Sequence, residues 1–486
     1  MNSINQVFKE VLKEVIPTEQ ELHLIGDITE NLTSLLVKTA KELNINYTRI
    51  EPQGSTGIKQ TQLRNDFDID LFIGLNYELY SPIYEGLSKN KLKKASKKDF
   101  LELCNNWIIK SLDLKKEFRN PRLLYAEHPY VTVDYIAGEV KLKVDIVLYF
   151  DLDLDFIKKN GPITAVDRSP WHGRFIRDKL NKDQKNDVRL IKQFFKACHS
   201  YGDKSAVGKI GFIGYAAELL IYYLGNIQTV FKKFGELPHV PLDYYKRNSK
   251  ELNKIIHFQN DFLIIIDPID MNRNVASAIS EKAYKYCHHR IKDLIKSPNK
   301  QFFELLPIPE VDLSDLKDPM LSKIFLIELK NKDEEIHYTI NRDKLYSLGD
   351  SIKANGEKEY SHAKRFEKII FEVYFENEKN EYNLAIYCDK MTISPSYIRK
   401  GPPVKDKYHA NKFKNANKNF FERDGYLWTE TERKFVDFYE YLKDFITNKI
   451  PENLELFNIS NAFGSKTSSG RKAIYVLKNM ILPFYL

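Results

Sequence analysis

GSTGIKQTQLRNDFDIDLFIGL, residues 54 to 75, is the stretch on which the reading of the chain turns. Gly54-Ser55 follows an apparent strand end, and Gly57 lies two residues on. Glycines let backbone N–H groups turn toward a ligand, and a serine hydroxyl adds a donor, so this turn makes a small anion-binding concavity suited to a triphosphate. Further along, Asp68 and Asp70 flank Ile69 in a strand-like run. Strand side chains alternate faces, which puts Asp68, Asp70 and Phe72 on one side and Ile69, Leu71 and Ile73 in the core. Neighbouring carboxylates repel unless a cation lies between them, and a hard Mg²⁺ with oxygen ligands is the expected partner.

A third carboxylate completes the pattern. Asp145 sits within KLKVDIVLYF (141–150) among Val144, Ile146 and Leu148. Burying an unpaired carboxylate in an apolar strand is unfavourable, so this aspartate calls for a reason. An adjacent strand can bring it to the Asp68–Asp70 pair. Three carboxylates on neighbouring strands can hold two metal ions, one lowering the pKa of an attacking 3′-hydroxyl and the other neutralising a pyrophosphate leaving group. That is the chemistry of nucleotidyl transfer. A GS pair alone is ordinarily a turn and a lone DxD ordinarily a solvated pair; it is their joint order with the distant strand aspartate that carries weight.

The rest of the chain bounds this reading. Its 486 residues suggest about three domains. Hydrophobic residues at 43% and aromatics at 13% can build real cores, which excludes a mostly disordered chain. No apolar run reaches the ~18 residues of a membrane span, and MNSINQVFKEVLKEVIP lacks a signal-peptide core, so a cytoplasmic location is expected. Four dispersed cysteines form no CxxC pair, which excludes a disulfide framework and a cysteine-type zinc ribbon. The net charge of +8 is compatible with a polyanionic partner without naming one.

Helical spacing from Val7 to about Leu43 predicts two helices, the second restarted at Pro17 and capped at Thr18 with Glu21 three residues later. Strand-like segments run from Ile45 to Tyr149, interrupted by KNKLKKASKK (Lys89 to Lys98), read as a solvated loop and helix start. Residues 160–287 read as helical. Short strands follow from about Asn299: KIFLIELKN, EEIHYTI, KIIFEVYFE and YNLAIYCD, with a helix near Asp350 to Asn355. Gly401-Pro402-Pro403 reads as a linker, and the end of the chain as helical.

These residues resemble a family. The GS…DxD…D order is similar to the polymerase-β-like nucleotidyltransferase superfamily, and more narrowly the chain resembles the archaeal-type (class I) CCA-adding enzymes, tRNA nucleotidyltransferases. The resemblance includes YAEHPYV (Tyr125 to Val131), TAVDRSPWH (Thr164 to His172), DVRLIKQFFKACHSYG (Asp187 to Gly202), DPIDMNRNVASA (Asp267 to Ala278), GPPV (Gly401 to Val404) and ERDGYLWTETERKF (Glu422 to Phe435). It implies an α+β multidomain chain: a nucleotidyltransferase head with a mixed sheet and helices (1–158), a helical neck (159–298), an α/β RNA-binding body (299–400) and a tail (401–486). It further implies that Asp68, Asp70 and Asp145 bind two Mg²⁺ ions, that Gly54 and Ser55 contact the incoming triphosphate, and that Lys192 and Tyr201 hold it from the neck. His172 would lie near the nucleotide. Arg273 would present hydrogen bonds to the base, with Asp267 and Asp270 orienting it. Arg189, Lys192, Lys196 and His199 fall at helical offsets and read as one basic face.

The chain departs from the family pattern by one extra residue between Ser55 and Thr61, so the loop's basic residue is assigned to Lys59. The activity implied is addition or repair of the 3′-terminal CCA of tRNA from CTP and ATP, with the acceptor stem and T arm gripped by body and tail through Tyr408, Lys412, Lys414, Phe420 and Arg423; the resemblance also suggests a homodimer. Two rivals are a poly(A)-type or oligoadenylate-synthesising relative and a non-catalytic RNA-binding relic.

Overall fold

The computed structural model describes residues 3–112, 116–125, 128–252, 254–332, 336–359, 363–376, 380–447 and 449–486. Ala126 and Glu127 of the YAEHPYV string, and Glu334 and Glu335 of EEIHYTI, lie outside them. The chain forms two compact units. The first comprises Met1–Gly202, Phe212–Ile279 and Cys287–Leu305; the second comprises Asp203–Gly211, Ser280–Tyr286 and Leu306–Leu486.

The first unit is organised by a five-stranded sheet of β1 (Arg49–Gln53), β2 (Ile69–Leu75), β3 (Phe118–Tyr125), β4 (Pro129–Ala137) and β5 (Val140–Phe150), in the order β1-β2-β5-β4-β3. Only β2 and β5 run parallel; the other pairs are antiparallel. One face of the central pair (Ile69, Leu71 and Ile73 with Val144, Ile146 and Leu148) is fully buried against helices Glu19–Glu42 and Lys89–Leu103. Trp107 sits in this core with its indole N–H donating to the Leu36 carbonyl at 2.9 Å, since a buried indole needs an acceptor. The helical start behaves as its sequence dictates. Pro17 ends Ile4–Val15, and Thr18 caps Glu19–Glu42 with a reciprocal box: the Glu21 N–H donates to Thr18 Oγ1 at 3.2 Å, and the Thr18 N–H to the Glu21 carboxylate at 2.8 Å. The lysine run is helical from its first residue, in Lys89–Leu103. Helices Ser169–Lys179, Lys182–Ala197 and Gly214–Leu224 complete the surroundings of the site.

The second unit holds β6 (Ile324–Asn331), β7 (Lys358–Glu359), β8 (Ala363–Lys364), β9 (Ile369–Glu376), β10 (Glu381–Cys388), β11 (Ser396–Pro403), β12 (Phe420–Arg423), β13 (Tyr426–Glu432) and β14 (Leu454–Asn461). A four-stranded antiparallel sheet has the order β14-β6-β10-β9, and a three-stranded one the order β11-β13-β12. Buried Glu328 on β6 accepts from the N–H groups of Lys466 and Thr467 at 3.0 and 2.8 Å and from Asn458 at 2.6 Å, which fixes the turn before helix Ser468–Tyr475.

The structure departs from the sequence expectation in two segments. EEIHYTI does not continue as a strand: Tyr338 to Ile340 open the helix Tyr338–Glu357, which also contains the short helix expected at Asp350 to Asn355. The reason lies downstream, where buried Leu345, Leu348 and Ile352 recur at helical spacing and draw the preceding turn into the same helix. Gly401-Pro402-Pro403 is not a linker but the end of edge strand β11, with the register shift against β13 falling between Lys400 and Pro403. Prolines cannot donate to a ladder, yet an edge strand with a bulge accommodates them. Among the described residues, no helix is long and apolar enough to cross a membrane. Replacing the cap, Thr18→Ala, is expected to lower stability by about 1 kcal/mol, read as a shift of the urea midpoint at unchanged slope.

Candidate active site

The parallel register of β2 and β5 places Asp70 directly opposite Asp145. Adjacent strands lie about 4.8 Å apart and their paired residues face the same side, so the two carboxylates share the face that also carries Phe72, Val147 and Tyr149. Gln53, the last residue of β1, pairs Asp70 from the other side, and the chain then turns through Gly54 at φ +67°. A Cβ on Gly54 would run into the Asp70 carboxylate, so only glycine lets the turn fold so closely over the strand. The turn is fastened by the Thr61 N–H donating to the Ser55 carbonyl at 2.9 Å and by Thr56 Oγ1 donating to the Asp68 carbonyl at 3.1 Å. Ser55, Asp68 and Asp70 thus line one cavity of 580 Å³ with Lys143, Lys192 and Tyr201. Asp70 and Asp145 also open onto a second cavity of 780 Å³, lined further by Phe72, His128 and Arg273.

The electrostatics of the aspartates call for a cation. Burial, then the charges of Asp145 and Asp68, push the Asp70 pKa up to about 7. Asp68 is raised as well, by burial first and against the pull of Lys143. Asp145 Oδ2 accepts from Lys143 Nζ at 2.8 Å, while its buried Oδ1 has no hydrogen-bond partner. Burial works against the Lys143 ammonium, but the Asp145 bond and the Asp145 and Asp68 charges outweigh it and raise its pKa. Among the described residues, no three acidic, histidine or cysteine side chains close on one point as a finished chelate. The unpaired Asp145 oxygen and the crowded Asp70 nevertheless fit a hard divalent ion with oxygen ligands.

A buried charge hub stands behind the 580 Å³ cavity. Glu218, fully buried in Gly214–Leu224, accepts from Lys59 Nζ at 2.8 Å, Thr61 Oγ1 at 2.7 Å and Lys192 Nζ at 3.2 Å. Burial alone would raise its pKa, yet Lys59 and Lys192 pull it down to about 2. Lys192, lowered by burial against the Glu218 charge, also donates to Thr61 Oγ1 at 2.9 Å. Lys59 is therefore turned to Glu218, with its ammonium 4.9 Å from the Tyr215 ring centroid. The basic face read on Lys182–Ala197 is also revised. Arg189 is buried and donates to the Gln62 and Gln60 carbonyls at 2.9 and 2.7 Å, pinning the loop after Ser55. Lys196 pairs Asp66. His199 lies beyond the helix end at φ +50° and does not continue the face.

A second buried carboxylate organises the far wall. Asp267 Oδ2 accepts from His172 Nε2–H at 2.8 Å and Arg273 at 2.9 Å, and its Oδ1 accepts from Tyr215 at 3.1 Å. His172 stacks on Tyr215 at 4.3 Å, and burial lowers its pKa against the Asp267 charge. Asp267 thus orients Arg273, whereas the Asp270 carboxylate, expected to do the same, pairs Arg168 at 2.6 Å. The structure brings Ser55, Asp68, Asp70, Asp145, Lys192, Tyr201 and Arg273 to the two cavities; Gly54 lies against Asp70 without lining either, and Lys59 and His172 stand behind them. Lys143, Arg168 and Glu218 were not singled out from the sequence. Glu218 was open to the argument used for Asp145, a carboxylate within an apolar run, GYAAELLIYYL.

The family described as tRNA nucleotidyltransferase, second domain, matches residues 186–304. The CCA-adding enzyme of Saccharolobus solfataricus is 29% identical over 93% of this chain and 95% of its own length. That of Methanocaldococcus jannaschii is 26% identical over 92% of each. A solved Cid1 poly(U) polymerase with MgGTP bound superposes at TM-score 0.45 with 13% identity, covering 62% of this chain and 98% of its own.

Two outcomes are expected. Because the folded state holds the Asp70 proton up to about pH 7 and the unfolded chain releases it near pH 4, the Asp70 contribution makes stability fall as pH rises through that window. Asp70→Asn removes this slope and melts higher than the wild type at pH 8 without metal; Mg²⁺ then raises the melting temperature of the wild type but not of Asp70→Asn. Glu218→Ala strands Lys192 and should lower stability by about 3–5 kcal/mol, measured by denaturant unfolding.

Proposed function

We infer that this chain is a tRNA nucleotidyltransferase that builds or repairs the 3′-terminal CCA of tRNA from CTP and ATP. The observation that carries the reading is the pairing of Asp70 with Asp145 on parallel strands under the Gly54–Ser55 turn. Similarity to CCA-adding enzymes over more than nine-tenths of the chain supports the tRNA substrate and disfavours the poly(A)-type and non-catalytic alternatives.

Asp68, Asp70 and Asp145 are the residues that would hold divalent metal, which when bound activates the RNA 3′-hydroxyl and neutralises the pyrophosphate that leaves. Ser55 and the backbone of its turn receive the triphosphate, and Lys192 and Tyr201 line the same cavity opposite them. The Glu218 hub keeps Lys192 in place and, through Thr61, sets the loop that follows Ser55. Arg273, held by Asp267, offers a fixed fork of donors to a nucleotide base. The hydroxyl attacks the α-phosphorus in line, the new ester bond forms as the bond to pyrophosphate breaks, and nucleotide choice comes from the Arg273 wall together with the RNA end. In this reading residues 1–158 and 159–298 divide catalysis between head and neck. Residues 299–400 and 401–486, as body and tail, grip the acceptor stem and T arm by shape and phosphate contacts. The enzyme is cytoplasmic and, by resemblance, a homodimer.

The test is incorporation of each labelled nucleotide onto tRNAs lacking CCA, ending in C, or ending in CC. The expected result is completion to CCA and then arrest, with Asp145→Ala about 1000-fold slower while its circular dichroism spectrum stays that of the folded wild type, equivalent to ~4 kcal/mol of barrier. Long homopolymers, or products formed without tRNA, would overturn it.

A further inference from the structure

A third cavity, of 540 Å³, adjoins the catalytic one in the first unit. Its walls are Lys93, Ser96 and Lys97 of helix Lys89–Leu103, Lys158 and Lys159 at the end of helix Leu154–Asn160, and the turn 161–164 that follows. Residues 93, 96 and 97 are spaced to share one helix face. The groove is continuous with the catalytic cavity, since His128, Ala165, Arg168 and Asn272 line both. The 580 Å³ cavity at Ser55 lies on the other side: it meets the catalytic cavity at Asp70 and shares no residue with the groove.

The groove is built and charged. Its one carboxylate, Asp270, is matched by Arg168 at 2.6 Å. Among the described residues, Lys93, Lys97, Lys158 and Lys159 form no ion pair, so the groove keeps four uncompensated ammonium groups. Asp99, the acid nearest them on the same helix, is engaged by the Tyr84 hydroxyl at 2.5 Å. The turn wall is fixed to the catalytic strand: buried Asp167 accepts from the Thr164 N–H and hydroxyl at 2.5 and 2.6 Å and from the Phe150 N–H of β5 at 2.9 Å. The helix wall is fixed through Phe100, packed edge-on to His128 at 5.7 Å.

In-line transfer requires the attacking hydroxyl and the leaving pyrophosphate on opposite sides of the α-phosphorus. With the triphosphate received on the Ser55 side of the aspartates, the strand bearing the hydroxyl must arrive from the other. We propose that the lysine groove holds the sugar–phosphate backbone of the RNA strand whose 3′ end enters the catalytic cavity. This rests on the nucleotidyl-transfer reading and adds to it the path of the acceptor strand. It also gives the lysine run a function that the sequence left open.

The test compares Lys93→Glu/Lys97→Glu and Lys158→Glu/Lys159→Glu with Lys94→Glu/Lys98→Glu, a reversal of equal charge on the same helix at residues that do not line the groove; the matching Lys→Gln pairs cover any reversal that fails to fold. CMP incorporation into tRNA lacking CCA is measured at several salt concentrations. Either groove pair should raise the KM for tRNA about tenfold with the KM for CTP unchanged. The plot of log KM against log salt should be shallower by about 1.4, as for two lost contacts to a single strand. An unchanged tRNA KM, or an equal rise in Lys94→Glu/Lys98→Glu, overturns the proposal. So does weakened inhibition by added pyrophosphate at unchanged tRNA KM, which would make the groove a product site. If the wild type fails to extend tRNA, the CCA reading falls. The groove is then decided by binding of a single-stranded RNA oligonucleotide ending in ACC, where loss of binding in the groove pairs alone supports it and equal binding by all variants overturns it.

Discussion

Two like charges held side by side constrain everything around them. Asp70 and Asp145 face one another because β2 and β5 run parallel in a fixed register, and that register is enforced from the opposite face. There Ile69, Leu71, Ile73, Val144, Ile146 and Leu148 fill the core, and a one-residue slip would exchange buried apolar side chains for carboxylates. Hydrophobic burial on one side of the sheet thus supplies the free energy that holds an unfavourable electrostatic arrangement on the other. The raised pKa of Asp70 and the unpaired oxygen of Asp145 are the local signs of that conflict, which a divalent cation between them would relieve.

The remaining groups are placed by two buried carboxylates rather than by their own elements. Glu218 gathers Lys59, Thr61 and Lys192; Asp267 gathers His172, Tyr215 and Arg273. Each hub ties residues distant in sequence to one point, so a cavity wall assembled from a turn and several helices becomes rigid. A charged side chain held this way loses little further freedom when a ligand arrives, which is the physical meaning of preorganisation.

The elements that were legible in the sequence share a cause. The Thr18 capping box, the Gly54–Ser55 turn and the alternation around Asp70 and Asp145 are local patterns, set by hydrogen bonding or side-chain direction within a few residues. The segments that read differently, Tyr338–Ile340 and Gly401–Pro403, are short and ambiguous, and their surroundings decided them: one joined the helix whose buried residues lie just downstream, the other an edge strand completed by β13. The basic face of Lys182–Ala197 is a third case. Its period was sound, but Arg189 and Lys192 point into the protein because carbonyls of residues 60–62 and the Glu218 carboxylate await them there.

By itself, then, the sequence determined which carboxylates needed explaining and which turn stood beside them, since alternation and the cost of burying charge act along the chain. It could not determine the parallel pairing that sets Asp70 against Asp145, the partner that claims Lys59, or the lysine groove beside the catalytic cavity. Those depend on contacts between residues a hundred or more positions apart or on separate elements. Only the tertiary structure settles them, because the free energy that selects them exists only once the cores are packed.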